Sequence, residues 1–280
     1  MFATSGNAQI AYDVVGDGAS GTDVVLFHAG VTDRRSWRRV IERLSPQHRC
    51  VAFDARQFGE TTYRPDDGWS NVDDALAVMN AAGVARPVLV AGSMGGATAI
   101  DLTLAHPERV RGLVLIGPAV HGAPYPDLTE EPTATLVARA EKAEESEDFE
   151  VLNRLEAWLW LDGPTAPEGR VSGDLRDLFL EMNGRALRAD NPGDYRPHPD
   201  AWSRLDEIEA PTLVVVGELD LPDMKAIDEQ LAATLSDARL VWLSDTAHLP
   251  HYEGHPQCLD EIAAFVDKIP VDDIGRGSTR

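Results

Sequence analysis

The chain has 280 residues, 43% of them hydrophobic and 26% charged, which allows a sizeable buried core and excludes global disorder. Its 25 Lys plus Arg stand against 47 Asp plus Glu, a formal charge of −22, which repels nucleic-acid phosphates and anionic membranes and argues against both as partners. No apolar stretch reaches the ~20 residues of a membrane span. The N-terminal MFATSGNAQIAYDVVG has neither the basic nor the continuous apolar region of a secretory signal, so a cytoplasmic protein is expected. Neither Cys50 nor Cys258 sits in a CxxC pair, so no disulfide framework is expected, and Cys50 reads as a small buried hydrophobe.

Strands and helices alternate along most of the chain. Val24–Ala29 is a continuous apolar run of the kind buried on both faces of a parallel sheet. Ser36–Leu44 has a helical period, and Cys50–Asp54 is a second buried strand. Ser70 caps a helix that runs to Gly83, with Val72, Leu76, Val78 and Met79 as its apolar positions. Pro87–Ser93 is a third strand, Gly95–Ala105 the helix after it, and Arg111–Ala119 a fourth strand. Pro211–Asp220 and Ala238–Asp245 are two more strands, separated by a helix over Met224–Leu235, and a helix over Cys258–Val266 closes the domain. This order predicts an α/β fold with a mostly parallel sheet covered on both faces.

One stretch breaks the alternation. Between Val120 and Leu205 there are no convincing buried strands, only charged helical segments punctuated by Pro and Gly. The expected organisation is a core domain of residues 1–119 and 206–268, a helical lid of residues 120–205, and a frayed tail from Ile269 to Arg280. The acidic run Glu141–Glu150 reads as a solvated helix face.

The chemistry concentrates at Val88-Leu89-Val90-Ala91-Gly92-Ser93-Met94-Gly95-Gly96. An apolar strand runs straight into a serine flanked by small residues, and a helix follows. A sharp strand-to-helix turn holds the serine in strained geometry and tolerates only small neighbours two positions away, here Ala91 and Gly95. Ser93 is therefore the candidate nucleophile, an ordinary helix cap being the alternative. A hydroxyl needs a base and an orienting acid, and both are expected after later strands. Asp220 ends Gly217-Glu218-Leu219-Asp220, and His248 follows Asp245-Thr246-Ala247. Asp223 and Asp245 are lesser candidates for the acid.

These marks resemble the α/β-hydrolase superfamily over about Ala11–Val266. His28-Ala29-Gly30 follows an early strand, and Phe53-Asp54-Ala55-Arg56-Gln57-Phe58-Gly59-Glu60 follows the next; the Ser93 elbow and the Asp220 and His248 loops come after them in order. Three departures stand out: Ala91 replaces the usual elbow glycine, the glycine of the usual His-Gly pair is displaced to Gly30, and the usual Arg-Gly-x-Gly turn is Arg56-Gln57-Phe58-Gly59. The resemblance implies an oxyanion hole made of the backbone amides of Met94 and of Gly30, with Val31 behind it.

The resemblance further implies a serine hydrolase that cleaves a small-molecule carboxylic ester or lactone through Ser93, Asp220 and His248, with no cofactor. The same family offers C–C bond hydrolases of vinylogous diketones, cofactor-free perhydrolases or haloperoxidases, and non-catalytic ligand-binding members. Metal binding by His248, His251 and His255 is not expected, because Pro250 and Pro256 interrupt any helix that would align them. His251 and His255 read as loop residues, and His28 as a structural hydrogen-bond partner. Trp158 and Trp160 line an acyl pocket or pack the lid onto the core. The oligomeric state is not readable from sequence.

Overall fold

A computed structural model describes residues 1–17 and 21–270. The chain opens with strands β1 (Phe2–Ser5), β2 (Ala8–Val15) and β3 (Asp23–Phe27). After a 3-10 turn at Arg34–Trp37 come α1 (Arg38–Leu44), β4 (Arg49–Phe53), β5 (Thr62–Tyr63) and α2 (Asn71–Ala81). The centre of the fold is β6 (Val88–Gly92), α3 (Met94–Ala105) and β7 (Gly112–Ile116). Between β7 and the next strand lie α4 (Thr133–Glu145), α5 (Phe149–Glu156), a π-helical turn (Ala157–Asp162), α6 (Asp174–Ala186) and a 3-10 turn (Trp202–Glu207). The chain then returns through β8 (Thr212–Gly217), α7 (Pro222–Thr234), β9 (Ala238–Leu243), α8 (Pro250–Glu253) and α9 (Pro256–Lys268).

The strands form one sheet in the order β1-β2-β4-β3-β6-β7-β8-β9, with β5 pairing on β2. From β4 to β9 every neighbour is parallel. The reason lies in the residues: β6, β7 and β8 are apolar at nearly every position and wholly buried, so both faces of the sheet must be covered. One face packs Leu89, Leu113 and Val214 against Met79 of α2, Ile100 of α3 and Ile227 of α7. The other packs Val90, Val114 and Val215 against Val40 of α1 and Ile262 of α9. Replacing a fully buried residue such as Leu89 by Ala should cost about 2–5 kcal/mol.

The N-terminal hairpin was not among the expected strands. β1 and β2 pair antiparallel across Gly6, which takes φ +52°, and β2 pairs antiparallel with β4. Its signal was a Gly-Asn turn before the alternation of buried Ala8 and Ile10 with exposed Gln9. Two other expectations need correction. Ile269 is not frayed: it is buried with Val266 and Ile262, while residues 271–280 lie outside the described residues. His251 is not a loop residue: it is helical in α8 and buried. Cys50 and Cys258 are both buried, and burial pushes the Cys50 thiol up to about 12. Among the described residues no helix is long and apolar enough to cross a membrane.

Candidate active site

Ser93 sits between β6 and α3 with φ +49° and ψ −118°, a backbone conformation costly for a residue with a side chain. It persists because its surroundings fix it. Ser93 N–H donates to Ile116 O at 3.1 Å, and Ser93 O accepts from Ala97 and Ala119. The small neighbours are required: a Cβ on Gly95 would lie 2.4 Å from Phe27 O, and one on Gly96 2.5 Å from the Pro118 ring. The turn sets the hydroxyl at the N-terminus of α3, where developing negative charge is favoured.

Asp220 and His248 come together at the ends of β8 and β9. His248 Nδ1–H donates to Asp220 Oδ2 at 2.7 Å, and Asp220 Oδ1 accepts from Leu221 N–H at 2.7 Å. Their side chains are 0% and 1% exposed. Both carboxylate oxygens are thus occupied, which fixes the imidazole with its proton on Nδ1. His248 Nε2 is buried and has no partner among the described residues. Gly117, at φ +48°, lines this pair so closely that a Cβ there would stand 2.9 Å from His248 Nδ1 and 3.1 Å from Asp220 Oδ2. Sequence reasoning passed over Gly117, whose only signal was a glycine directly after a buried strand.

The lesser acid candidates lie elsewhere. Asp223 is in the first turn of α7, and burial raises its carboxyl above the usual range. Asp245 is exposed at φ +58° and offers its backbone carbonyl to Arg170. A third carboxyl, Asp228 of α7, is fully buried, and neither oxygen has a partner among the described residues. Burial, with Asp220 and Asp223 nearby, holds it well above the ordinary carboxylate range.

Gly30 and Met94 are neighbours: a Cβ on Gly30 would be 3.6 Å from Met94 Cβ and Sδ. Gly30 and Val31 are the central residues of a turn closed by Thr32 N–H donating to Ala29 O at 3.0 Å, so the turn's own hydrogen bond uses neither of their amides. His28 steadies this loop: its Nε2 accepts from Ala55 N–H at 3.0 Å, and its Nδ1 lies 2.8 Å from Ala29 O. His251 stacks on Trp37 with centroids 4.2 Å apart, and complete burial lowers its pKa to about 3, which makes it a neutral packing group.

The two tryptophans separate. Trp160, on the π-helical turn, tilts over His248 with ring centroids 4.7 Å apart. Trp158 turns away and donates from Nε1 to Ala166 O at 2.9 Å. Beside the elbow, a cavity of about 540 Å³ is lined by Gln57, Asn71, Met94, Thr98, His121 and His198, among others. Its lining includes Met94 but not Ser93 itself. Gln57, which stands where the resemblance expects glycine, takes φ +77°.

The profile of the alpha/beta hydrolase fold matches residues 23–255. The chain belongs to that family. It is 38% identical over 117 residues to a 2-hydroxymuconate semialdehyde hydrolase of Pseudomonas sp. (strain CF600), a match spanning 39% of this chain and 40% of that protein. It is 28% identical to a 2-hydroxy-6-oxo-6-phenylhexa-2,4-dienoate hydrolase of Comamonas testosteroni, across 87% of this chain and 86% of that one. A thermophilic esterase from Thermogutta terrifontis shares the fold with a TM-score of 0.76 at 23% identity, over 97% of this chain and 99% of that one.

Proposed function

We propose that the protein is a serine hydrolase of small carboxylic esters or lactones, acting through Ser93, His248 and Asp220. The observation that carries this reading is the buried Asp220–His248 pair. Its carboxylate is saturated and its imidazole Nε2 is free to take a proton, at the same sheet edge that ends in the strained Ser93. His248 Nε2 accepts the Ser93 hydroxyl proton as Oγ bonds to the substrate carbonyl carbon. The amides of Met94 and Gly30 hold the oxyanion. The tetrahedral intermediate collapses, the carbonyl–oxygen bond breaks, and His248 returns the proton to the leaving alcohol. Water, deprotonated by His248 in turn, then hydrolyses the acyl-enzyme. Residues 120–205 act as a lid that sets substrate choice, with Trp160 as its contact to the reacting histidine.

Turnover of aryl esters of graded chain length and of lactones tests the reading, alongside fluorophosphonate labelling. Ser93→Ala should lose both labelling and turnover, the latter by on the order of 10⁵–10⁶-fold, with unchanged circular dichroism. Near-normal esterase activity in that variant rejects the serine mechanism. A second reading, hydrolysis of a C–C bond in a vinylogous diketone, is favoured by the similarity to the Comamonas enzyme across most of both chains. Loss of a dienone chromophore on addition of the enzyme, without ester turnover, selects it.

A further inference from the structure

A second histidine–carboxylate pair lies behind the cavity beside Met94, whose lining includes its histidine, His121, and the neighbouring His198. Asp101 of α3 is buried, 5% exposed, and its Oδ2 is 2.8 Å from His121 Nδ1. Its other oxygen, Oδ1, is buried with no partner among the described residues. The ring of His198 stacks on His121 with centroids 3.7 Å apart, and Tyr195 stacks on His198 at 4.2 Å. One ligand atom from each of Asp101, His121 and His198 lies within 4.8 Å of the other two.

We propose that Asp101, His121 and His198 bind a divalent transition-metal ion, Zn²⁺ foremost, on the wall of this cavity. A buried carboxylate oxygen left without a partner is costly, and a purely structural Asp–His pair gives no reason to leave it so. A cation supplies what it lacks. Two imidazole nitrogens with one carboxylate are a donor set that suits Zn²⁺ rather than Mg²⁺ or Ca²⁺. Bonds of about 2.0–2.2 Å to a tetrahedral ion put ligand atoms roughly 3.3 Å apart. The contact of Asp101 Oδ2 with His121 Nδ1, at 2.8 Å, is tighter than that and opens by about half an ångström to admit the ion. The remaining closure falls to His198, which is exposed and lies in a stretch without regular secondary structure. It must turn out of its stack for its ring plane to contain the ion.

The ion takes the place of the proton between His121 Nδ1 and Asp101, and the neutral imidazole then carries its proton on Nε2. The fourth position is left for water or for an anionic group of a molecule held in the cavity. The three residues are far apart in the chain, on α3, just after β7, and after α6, so no motif spacing announces them.

The test is calorimetric titration of chelator-stripped full-length protein with ZnCl₂. One saturable site per chain is expected. His198→Ala, on an exposed segment, should keep the fold and weaken binding at least about tenfold, and His121→Ala at least as much. Ser93→Ala should bind as wild type does, which separates this site from the hydrolytic one. No saturable binding, or equal binding by wild type and His198→Ala, overturns the proposal.

Discussion

The molecule holds two histidine–aspartate pairs with nearly the same contact, 2.7 Å for His248–Asp220 and 2.8 Å for His121–Asp101. They differ in where the unused hydrogen-bonding capacity lies. Asp220 has both oxygens engaged, and the free atom is the imidazole Nε2. Asp101 has one oxygen engaged, and the free atom is its Oδ1. The first arrangement suits the proposed base, and the second suits the proposed metal ligand. Burial follows the same division, since the His248 side chain is 1% exposed and that of His121 is 26% exposed at a cavity wall. The contact distance alone therefore does not distinguish the two pairs, and the number of engaged carboxylate oxygens does.

The largest expected effect would break or keep this contrast directly. Asp220→Asn should misorient the imidazole and lower kcat by up to about 10⁴-fold. Asp101→Asn should lower it by less than about tenfold, because it leaves Asp220 and His248 untouched. Stopped-flow turnover of one activated ester in both variants decides it, and equal losses would show that the two pairs act as one. Asp223→Asn should stay near wild type, since asparagine suits the first turn of α7 nearly as well as aspartate.

A smaller effect sharpens the account of the buried side. Trp160→Ala should change the long-chain to acetate ester preference by roughly tenfold, whereas Trp158→Ala should lower the thermal midpoint with little change in that ratio. If both variants shift the ratio equally, contact with His248 is not what matters.

His251 extends the comparison to a histidine with no carboxylate at all. Its pKa is about 3 in the folded protein against an ordinary 6.5. Between those values the unfolded chain binds more protons than the native one, so stability falls as the pH drops below 6.5 and is unaffected by this group above it. The slope should be on the order of 1 kcal/mol per pH unit. Urea midpoints at pH 4.5 and 7 should therefore differ, and His251→Phe should shrink the difference. Asp228 runs the other way: its raised carboxyl pKa makes stability fall as the pH rises above the ordinary carboxylate range. Asp228→Asn should remove that penalty at neutral pH.

The smallest effect concerns backbone strain on the cavity side. Gln57 sits at φ +77°, so Gln57→Gly should relieve about 1–2 kcal/mol of strain against an entropic loss of about 0.5–1 kcal/mol. The net gain should appear as a rise of about 1–3 °C in Tm. Gln57→Ala, which keeps a Cβ, should show none.

The parts of the fold that depend on short stretches of chain are legible in the residues. The runs Val88–Gly92, Gly112–Ile116 and Thr212–Gly217 are apolar at nearly every position, and such runs must be buried on both faces. The elbow was legible because its sterics act within a few residues, so Ala91, Ser93 and Gly95 announce it together. The expected helices over 70–83 and 95–105 appear as Asn71–Ala81 and Met94–Ala105, because their caps and apolar periods are local. The N-terminal hairpin was missed because its strands alternate rather than run, a weak signal beside the continuous apolar stretches. The contact of Asp220, already the favoured acid, with His248, the choice of tryptophan that touches it, and the convergence of Asp101, His121 and His198 emerge from tertiary packing. Those outcomes depend on where separate elements end in space. Asp220 and Asp223 are three residues apart, yet one lies at the tip of the β8 exit and the other inside a helix. Sheet order and loop path set such positions, and neither is written in any single stretch of chain.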